Sequence, residues 1–310
     1  MSRSCAIIAN GYFHGEAMVD QISSLKAELE LLSIKVDLIY TDKILTYFSQ
    51  GEIISAMPEY DFILFLDKDV YISHMLEKSG YKLVNSANAI EICDDKLKTF
   101  IKLSSNGVNM PMTISSPLNY AKQIDGLASD VVGILGLPVV VKECFGSMGK
   151  TVYLAKTLDE LISLRRQLLA KPHLYQQFVG KGGVDIRVIV IGGKAVGAMQ
   201  RKNDMDFRSN IELGGHGTKV ELTDEIKEIS ERAAKVIGLD YCGVDLLFDG
   251  QSYFVCEVNS NAFSRALQKQ RALTLQDFTL NISLIKFTIK TNFELIFNFV
   301  NIFENNIELY

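Results

Sequence analysis

The chain has no tryptophan, only 5 prolines and only 4 histidines in 310 residues. The histidines (His14, His74, His173, His216) stand singly. The 5 cysteines (Cys5, Cys93, Cys144, Cys242, Cys256) show neither zinc-ligand nor redox spacing, which argues against a metal site built on His or Cys. Scattered thiols, odd in number, read as reduced and suit a cytoplasmic protein. A net charge of -5 gives no bulk attraction to nucleic acid or to an anionic membrane. No charge-free run approaches the ~20 apolar residues that span a bilayer. The apolar run in MSRSCAIIANGYF is too short for a signal peptide. What is present is 48% apolar and 22% charged residues, enough for an ample core and two or three subdomains.

Strand-like and helix-like stretches alternate at first. CAIIAN (5–10), VDLIY (36–40), YDFILFLDKD (60–69) and KLVN (82–85) read as strands. Residues 16–33 and 70–80 between them have helical period. Alternation of this kind predicts a parallel α/β sheet ending near residue 90. AIIANGYFHGE has its two glycines at the wrong spacing for a dinucleotide site. Residues 86–113 read as one helical stretch, and 137–155 as strand, glycine-rich loop, strand. A helix is expected over 158–170 and strands over 174–179 and 184–202, the latter turned at Gly192–Gly193. A helix over 224–239 is followed by a hairpin over 242–261, turned at Asp249–Gly250. There is no internal repeat and no long linker.

Three clusters carry chemistry. GSMGK (146–150) lies between two β-type runs, so it is not a P-loop, which needs a following helix. It is either an ordinary hairpin turn or a glycine-rich cover whose N–H groups and Lys150 face a polyphosphate. Lys142, on the apolar strand before it, needs an anionic partner if buried. In the later hairpin, Glu257 and Asn259 are two apart and share a face that Asp245 can approach from the partner strand. Either that face meets solvent or its oxygens form a site for a hard cation such as Mg2+. Asp185 and Arg187 alternate on one strand face, Arg201 follows on the partner strand, and Arg208–Asn210 come next. Each arginine alone reads as a surface ion pair; together they suit a transferring phosphoryl group or a carboxylate.

Over residues 86–263 the text resembles the ATP-grasp superfamily, specifically the RimK-like α-L-glutamate ligases. The matching motifs are CDDK (93–96), PVVVKECFGSMGKTV (138–152), QQFVGKGGVDIRV (176–188), MQRK (199–202), DFRSNIELGG (206–215), GVDLL (243–247) and CEVNSNAF (256–263). The resemblance implies an α/β (α+β) ATP-grasp fold. An N-terminal parallel α/β (pre-ATP-grasp) domain would span 1–90, a central subdomain with the lid 91–175, and a C-terminal subdomain with the metal site 176–263. It also implies roles. Lys96 and Lys142 would contact ATP phosphates or adenine, and Gly146, Ser147, Gly149 and Lys150 would form the lid. Gln177 and Phe178 would be the adenine hinge, and Asp185 would contact the nucleotide. Arg208, Ser209 and Asn210 would line the phosphate end. Arg201 would stabilise the transferring phosphoryl group, with Arg187 and Asn210 also in the catalytic set. Asp245, Glu257 and Asn259 would hold two magnesium (or manganese) ions. Two departures stand out: Gln177 where glutamate is common, and Thr151 where the lid usually has glycine.

The implied reaction is amide formation through an acyl phosphate, releasing ADP. Its partners would be ATP, an amino acid (glutamate first) and a carboxylate acceptor, either a small molecule or a protein C-terminus. A ligase for another amino acid, and a nucleotide-binding protein inactivated by its altered C-terminus, stay open. No nucleic acid or membrane partner is expected, and a homo-oligomer is compatible with the sequence.

That altered C-terminus is residues 264–310, of which 278–307 are crowded with Phe, Ile and Asn. Back-translating from Arg265 to Lys286 and reading from the third base of the arginine codon, permitted codons yield GIAKATGINIAGFYAEHIINK. That string resembles the family's missing final helix. The tail is therefore read as out-of-frame translation beginning near residues 263–265, against the alternative of a genuine divergent helix. Sequencing the encoding DNA should reveal a single-base insertion or deletion there whose correction extends the family match; without such an indel the frameshift reading fails.

Overall fold

The computed structural model describes residues 3–13, 15–120 and 126–262. The atypical tail, with Phe263 and the expected frameshift, lies outside the described residues.

The chain opens with β1 (Ser4–Ala9), α1 (Glu16–Leu31) and β2 (Lys35–Tyr40). A hairpin follows, β3 (Thr46–Ser49) with β4 (Glu52–Ser55). The sequence reading missed it because its turn, at Gln50 and Gly51 with φ of 52° and 83°, lacks the Asn-Gly signal that usually marks such turns. Then come β5 (Phe62–Leu66), α2 (Val70–Lys78) and β6 (Leu83–Val84). The parallel sheet has the order β2-β1-β5-β6. Alternate residues of β1 and β5 pack against Met18, Ile22, Leu25 and Leu29 of α1 on one face, the i, i+3, i+4 stripe of an amphipathic helix.

The stretch expected as one helix is two, α3 (Ala87–Asp94) and α4 (Lys96–Leu103). Between them Asp95 is extended (φ -109°, ψ 110°), and its carboxylate accepts the N–H groups of Leu97 and Lys98. Capping here outcompetes helix continuation, and it sets Lys96 at the first position of a fresh helix.

The next sheet contains β7 (Thr113–Ser115), β8 (Val139–Glu143), β9 (Val152–Ala155) and β10 (His173–Gln177), antiparallel in the order β7-β10-β8-β9. It is backed by α5 (Leu127–Leu135) and α6 (Leu158–Leu168), with Val131, Leu161 and Tyr175 fully buried between the layers. Strand β7 and helix α5 were not foreseen; α5 has only nine residues, and Ser129, Asp130 and Gly133 among them read as loop.

The last sheet contains β11 (Val184–Ile191), β12 (Lys194–Lys202), β13 (His216–Val220), β14 (Tyr241–Phe248) and β15 (Tyr253–Asn259), antiparallel in the order β13-β12-β11-β14-β15. Strand β13 was also missed, reading as loop because of its glycine and polar residues. Helix α7 (Asp224–Ile237) is capped by Thr223 and stopped by Gly238 at φ 88°, and packs Ile226, Ala233 and Ile237 on this sheet. Among the described residues no helix is long and apolar enough to cross a membrane.

The first and last sheets share one core, since Ile189, Ile191, Met199 and Tyr241 join the cluster under α1. Asn85, 2% exposed, fastens that junction. Its amide nitrogen donates to the carbonyls of Tyr241 (2.8 Å) and Ser260 (2.9 Å), and its oxygen accepts from the N–H groups of Asp240 and Tyr241. Truncation leaves buried backbone groups unpaired, so Asn85→Ala should destabilise the protein by about 2–4 kcal/mol in denaturant unfolding. A loss of a few tenths would show that the side chain is not the fastener.

Candidate active site

Two carboxylates and two arginines meet on adjoining strands. The register places Asp185 opposite Arg201 and Arg187 opposite Asp245, while Asp245 faces Glu257 across β14 and β15. Arg187 grips Asp245 with two bonds, Nε to Oδ1 and Nη2 to Oδ2, both 2.7 Å. Arg201 grips Asp185 likewise, Nε to Oδ1 at 2.7 Å and Nη2 to Oδ2 at 2.5 Å. Its Nη2 also lies 2.9 Å from Asp245 Oδ2. The result is a buried ladder, Asp185–Arg201–Asp245–Arg187. Burial alone would raise the Asp245 carboxyl, but the guanidinium groups of Arg187 and Arg201 outweigh it and hold the carboxyl below its ordinary range. Burial likewise opposes charge on Arg201, and Asp245 and Asp185 overcome it, so Arg201 stays firmly protonated.

A cavity opens over the ladder between the second and last sheets. Lys142 enters it from β8 and Lys96 from the start of α4; both are buried, at 8% and 6% exposure. Lys142 Nζ donates to the Cys256 carbonyl at 3.4 Å. Lys96 Nζ donates to the Gly146 carbonyl at 3.0 Å and lies 3.6 Å from Glu257 Oε1. The glycine-rich segment between β8 and β9 forms the roof. Arg208, held by Asp206, donates from Nη1 to the Gly149 carbonyl at 2.8 Å. Gly149 sits at φ 70°, and a Cβ there would lie 2.6 Å from Asn210 Oδ1. Two lysine or arginine heads thus hold the roof by its carbonyls, one from each side.

The cavity brings together Lys96, Lys142, Gly146, Ser147, Gly149, Gln177, Phe178, Asp185, Arg201, Arg208, Ser209, Asn210, Asp245 and Glu257. Lys150, Arg187 and Asn259 do not line it. Lys150 lies exposed on the roof segment, Arg187 backs Asp245, and Asn259 stands opposite Gly243. The Asp185 carboxylate is turned to Arg201, and the Gln177 N–H is taken by the Met112 carbonyl at 2.9 Å.

Several lining residues were not foreseen. Val140 and Leu247 share strand faces with Lys142 and Asp245, so period-2 reading could have found them. Cys256 lines the cavity because the strand register shifts between Asp245 and Leu246, a bulge invisible in the text. Burial pushes its thiol up to about 12, so it is not a nucleophile at neutral pH. Phe207 arrives through loop folding alone.

No three His, Cys, Asp or Glu side chains among the described residues converge as a ready metal cluster. The candidate set is two carboxylates and an amide, oxygen donors that fit a hard cation. Asp245 Oδ1 accepts one bond, and Glu257 accepts no hydrogen bond among the described residues. The Asn259 side-chain nitrogen is buried without a partner there, and the amide can be turned to present its oxygen instead.

Comparison with known proteins gives a consistent family. The family model described as a RimK-like ATP-grasp domain matches residues 93–280. Human N-acetylaspartylglutamate synthase A is 37% identical over 228 residues, covering 70% of this chain and 56% of the relative. Human beta-citrylglutamate synthase B is 35% identical over 248 residues, covering 75% and 63%. The chain thus spans less than two thirds of the length of these relatives. A probable alpha-L-glutamate ligase of Maridesulfovibrio salexigens is 35% identical over 202 residues, covering 64% and 65%. Among solved structures, a RimK domain ATP-grasp protein from Sphaerobacter thermophilus superposes with TM-score 0.68 at 16% identity, covering 91% of this chain and 99% of that one. D-alanine–D-alanine ligase from Bacillus anthracis, complexed with ATP, gives TM-score 0.70 at 17% identity, covering 93% and 98%. At such identities these structures establish the ATP-grasp fold.

The roof's seating is testable without any ligand. Gly149→Ala adds left-handed strain of about 1–2 kcal/mol and a clash with Asn210, so tryptic cleavage after Lys150 should quicken roughly tenfold. Circular dichroism should stay unchanged, and an unaltered cleavage rate would show that Gly149 does not seat the roof.

Proposed function

Since the chain belongs to the RimK-like ATP-grasp family, we propose that it is an ATP-dependent carboxylate–amine ligase, ADP-forming, that joins L-glutamate to a carboxylate acceptor. The observation that carries this reading is the convergence, in one cavity, of two buried lysines, a glycine roof, Arg201, Arg208 and the Asp245–Glu257 pair.

A carboxylate is a poor electrophile and must be activated. In the proposed reaction an acceptor oxygen attacks the γ-phosphorus of ATP, the bond to ADP breaks, and an acyl phosphate forms. The amine of glutamate then attacks the acyl carbon, phosphate leaves, and the nitrogen loses a proton. Lys96 and Lys142 offer ammonium groups to the phosphates. Arg208 and the roof N–H groups lie where a polyphosphate would pass beneath the glycines. Arg201, fixed and charged, is suited to the oxygen charge that develops on phosphoryl transfer. Phe178, Val140 and Leu247 supply an apolar wall for a base. The roof keeps water from the acyl phosphate. Asp245 and Glu257, with Asn259, would hold magnesium, which when bound neutralises phosphate charge and polarises the phosphoryl oxygens.

Purified protein given ATP, Mg2+ and glutamate should release ADP with one member of a panel of small carboxylates or peptide C-termini. ADP release with a different amino acid would reassign the amine. Nucleotide binding without ADP across the panel would instead favour a binding protein inactivated at its C-terminus. Glu257→Gln should abolish ADP formation with the fold intact; an active variant would sink the metal assignment.

A further inference from the structure

We infer that Asp185 is a positioning residue that draws Arg201 away from Asp245 and so keeps Asp245 able to accept a divalent cation. The inference rests on the reading of Asp245 and Glu257 as the cation-holding pair.

Arg201 is one guanidinium between two carboxylates. It makes both of its short bonds to Asp185, at 2.7 and 2.5 Å, and only a third contact, 2.9 Å, to Asp245. Asp245 is already gripped twice by Arg187. A carboxylate has about four lone-pair positions. With three donors in place, the open one is on Oδ1, the side away from Arg201. The ladder therefore leaves one position of Asp245 open, and Asp185 sets how much of the Arg201 charge falls on that carboxylate. All of the ladder's side chains come from strands in fixed register, which holds the four groups side by side. Remove the Asp185 charge, and the guanidinium's nearest anion becomes Asp245: its positive charge then bears on Asp245 Oδ2 alone and weakens the pull of that carboxylate on a cation at Oδ1. Asp185 then acts on the cation without touching it, and needs no contact with the nucleotide.

Binding of Mn2+ in the presence of ADP, followed by electron paramagnetic resonance, reads this without turnover. Asp185→Asn should weaken Mn2+ binding roughly tenfold or more, the scale of one charge-assisted hydrogen bond. Its affinity for ADP without metal should stay within about twofold of the parent, a change too small to reflect a lost contact. The double variant Asp185→Asn/Arg201→Gln, which removes the guanidinium charge as well, should recover Mn2+ binding. Should Asp185→Asn fail to fold, Arg201→Gln alone serves: its Mn2+ affinity should equal or exceed the parent's, and a fall overturns the inference. Parental Mn2+ affinity in Asp185→Asn overturns it too, leaving the cation assignment standing. A parallel loss of metal-free ADP affinity overturns it in favour of direct nucleotide contact. If the parent protein with ADP binds no Mn2+, the assignment of Asp245 and Glu257 fails, and this inference with it.

Discussion

Burying four charges side by side is costly, and the site depends on how that cost is met. Asp185, Arg201 and Asp245 are buried in the sheet and Arg187 is partly buried beside them, where an unpaired ion costs several kcal/mol. They are tolerable because each carboxylate faces a planar fork in bidentate geometry. That geometry requires the antiparallel register of β12, β11 and β14, which aligns Asp185 with Arg201 and Arg187 with Asp245. A one-residue slip would turn these charges to the opposite face, into the apolar core under α7. The ladder thus specifies the register as much as it decorates it.

Around this rigid floor the other parts are softer. The roof is held by hydrogen bonds from Lys96 and Arg208 to backbone carbonyls. Both are cations that could exchange a carbonyl for a phosphate oxygen without moving far. The fold therefore pairs a floor with little freedom and a roof whose attachments are replaceable, the division that a lid over a reactive intermediate needs. The first sheet contributes no lining residue to the cavity. It shares its core with the last sheet and is fastened to the end of β15 through Asn85 and through Asn261, whose amide donates to the Leu66 carbonyl at 2.7 Å.

Much of this could be read from the chain. The alternation of strands and helices before residue 85 foretold a parallel sheet, and apolar runs marked Lys142 and Asp245 as buried polar positions and Glu257 as a partly buried one. Resemblance of ordered motifs supplied the fold. The errors have physical causes. A helical stretch broke at Asp95 because a side-chain cap competed with the backbone. Helix α5 escaped notice because it is short and carries a serine, an aspartate and a glycine, and β13 because its side chains are mostly solvated.

By itself the sequence determined which groups are available: the glycines of the roof, the isolated basic residues in apolar strands, and the carboxylates spaced to share a strand face. Residue type and period-2 spacing suffice for that, because they are local. Which group meets which was decided only by tertiary structure. Asp185 lines the cavity with its carboxylate bonded to Arg201, and Arg187 backs Asp245. Charge pairing depends on strand register, and register is set by the whole sheet. A single bulge that brings Cys256 into the cavity, beside Glu257, shows how small a non-local detail can re-aim a side chain.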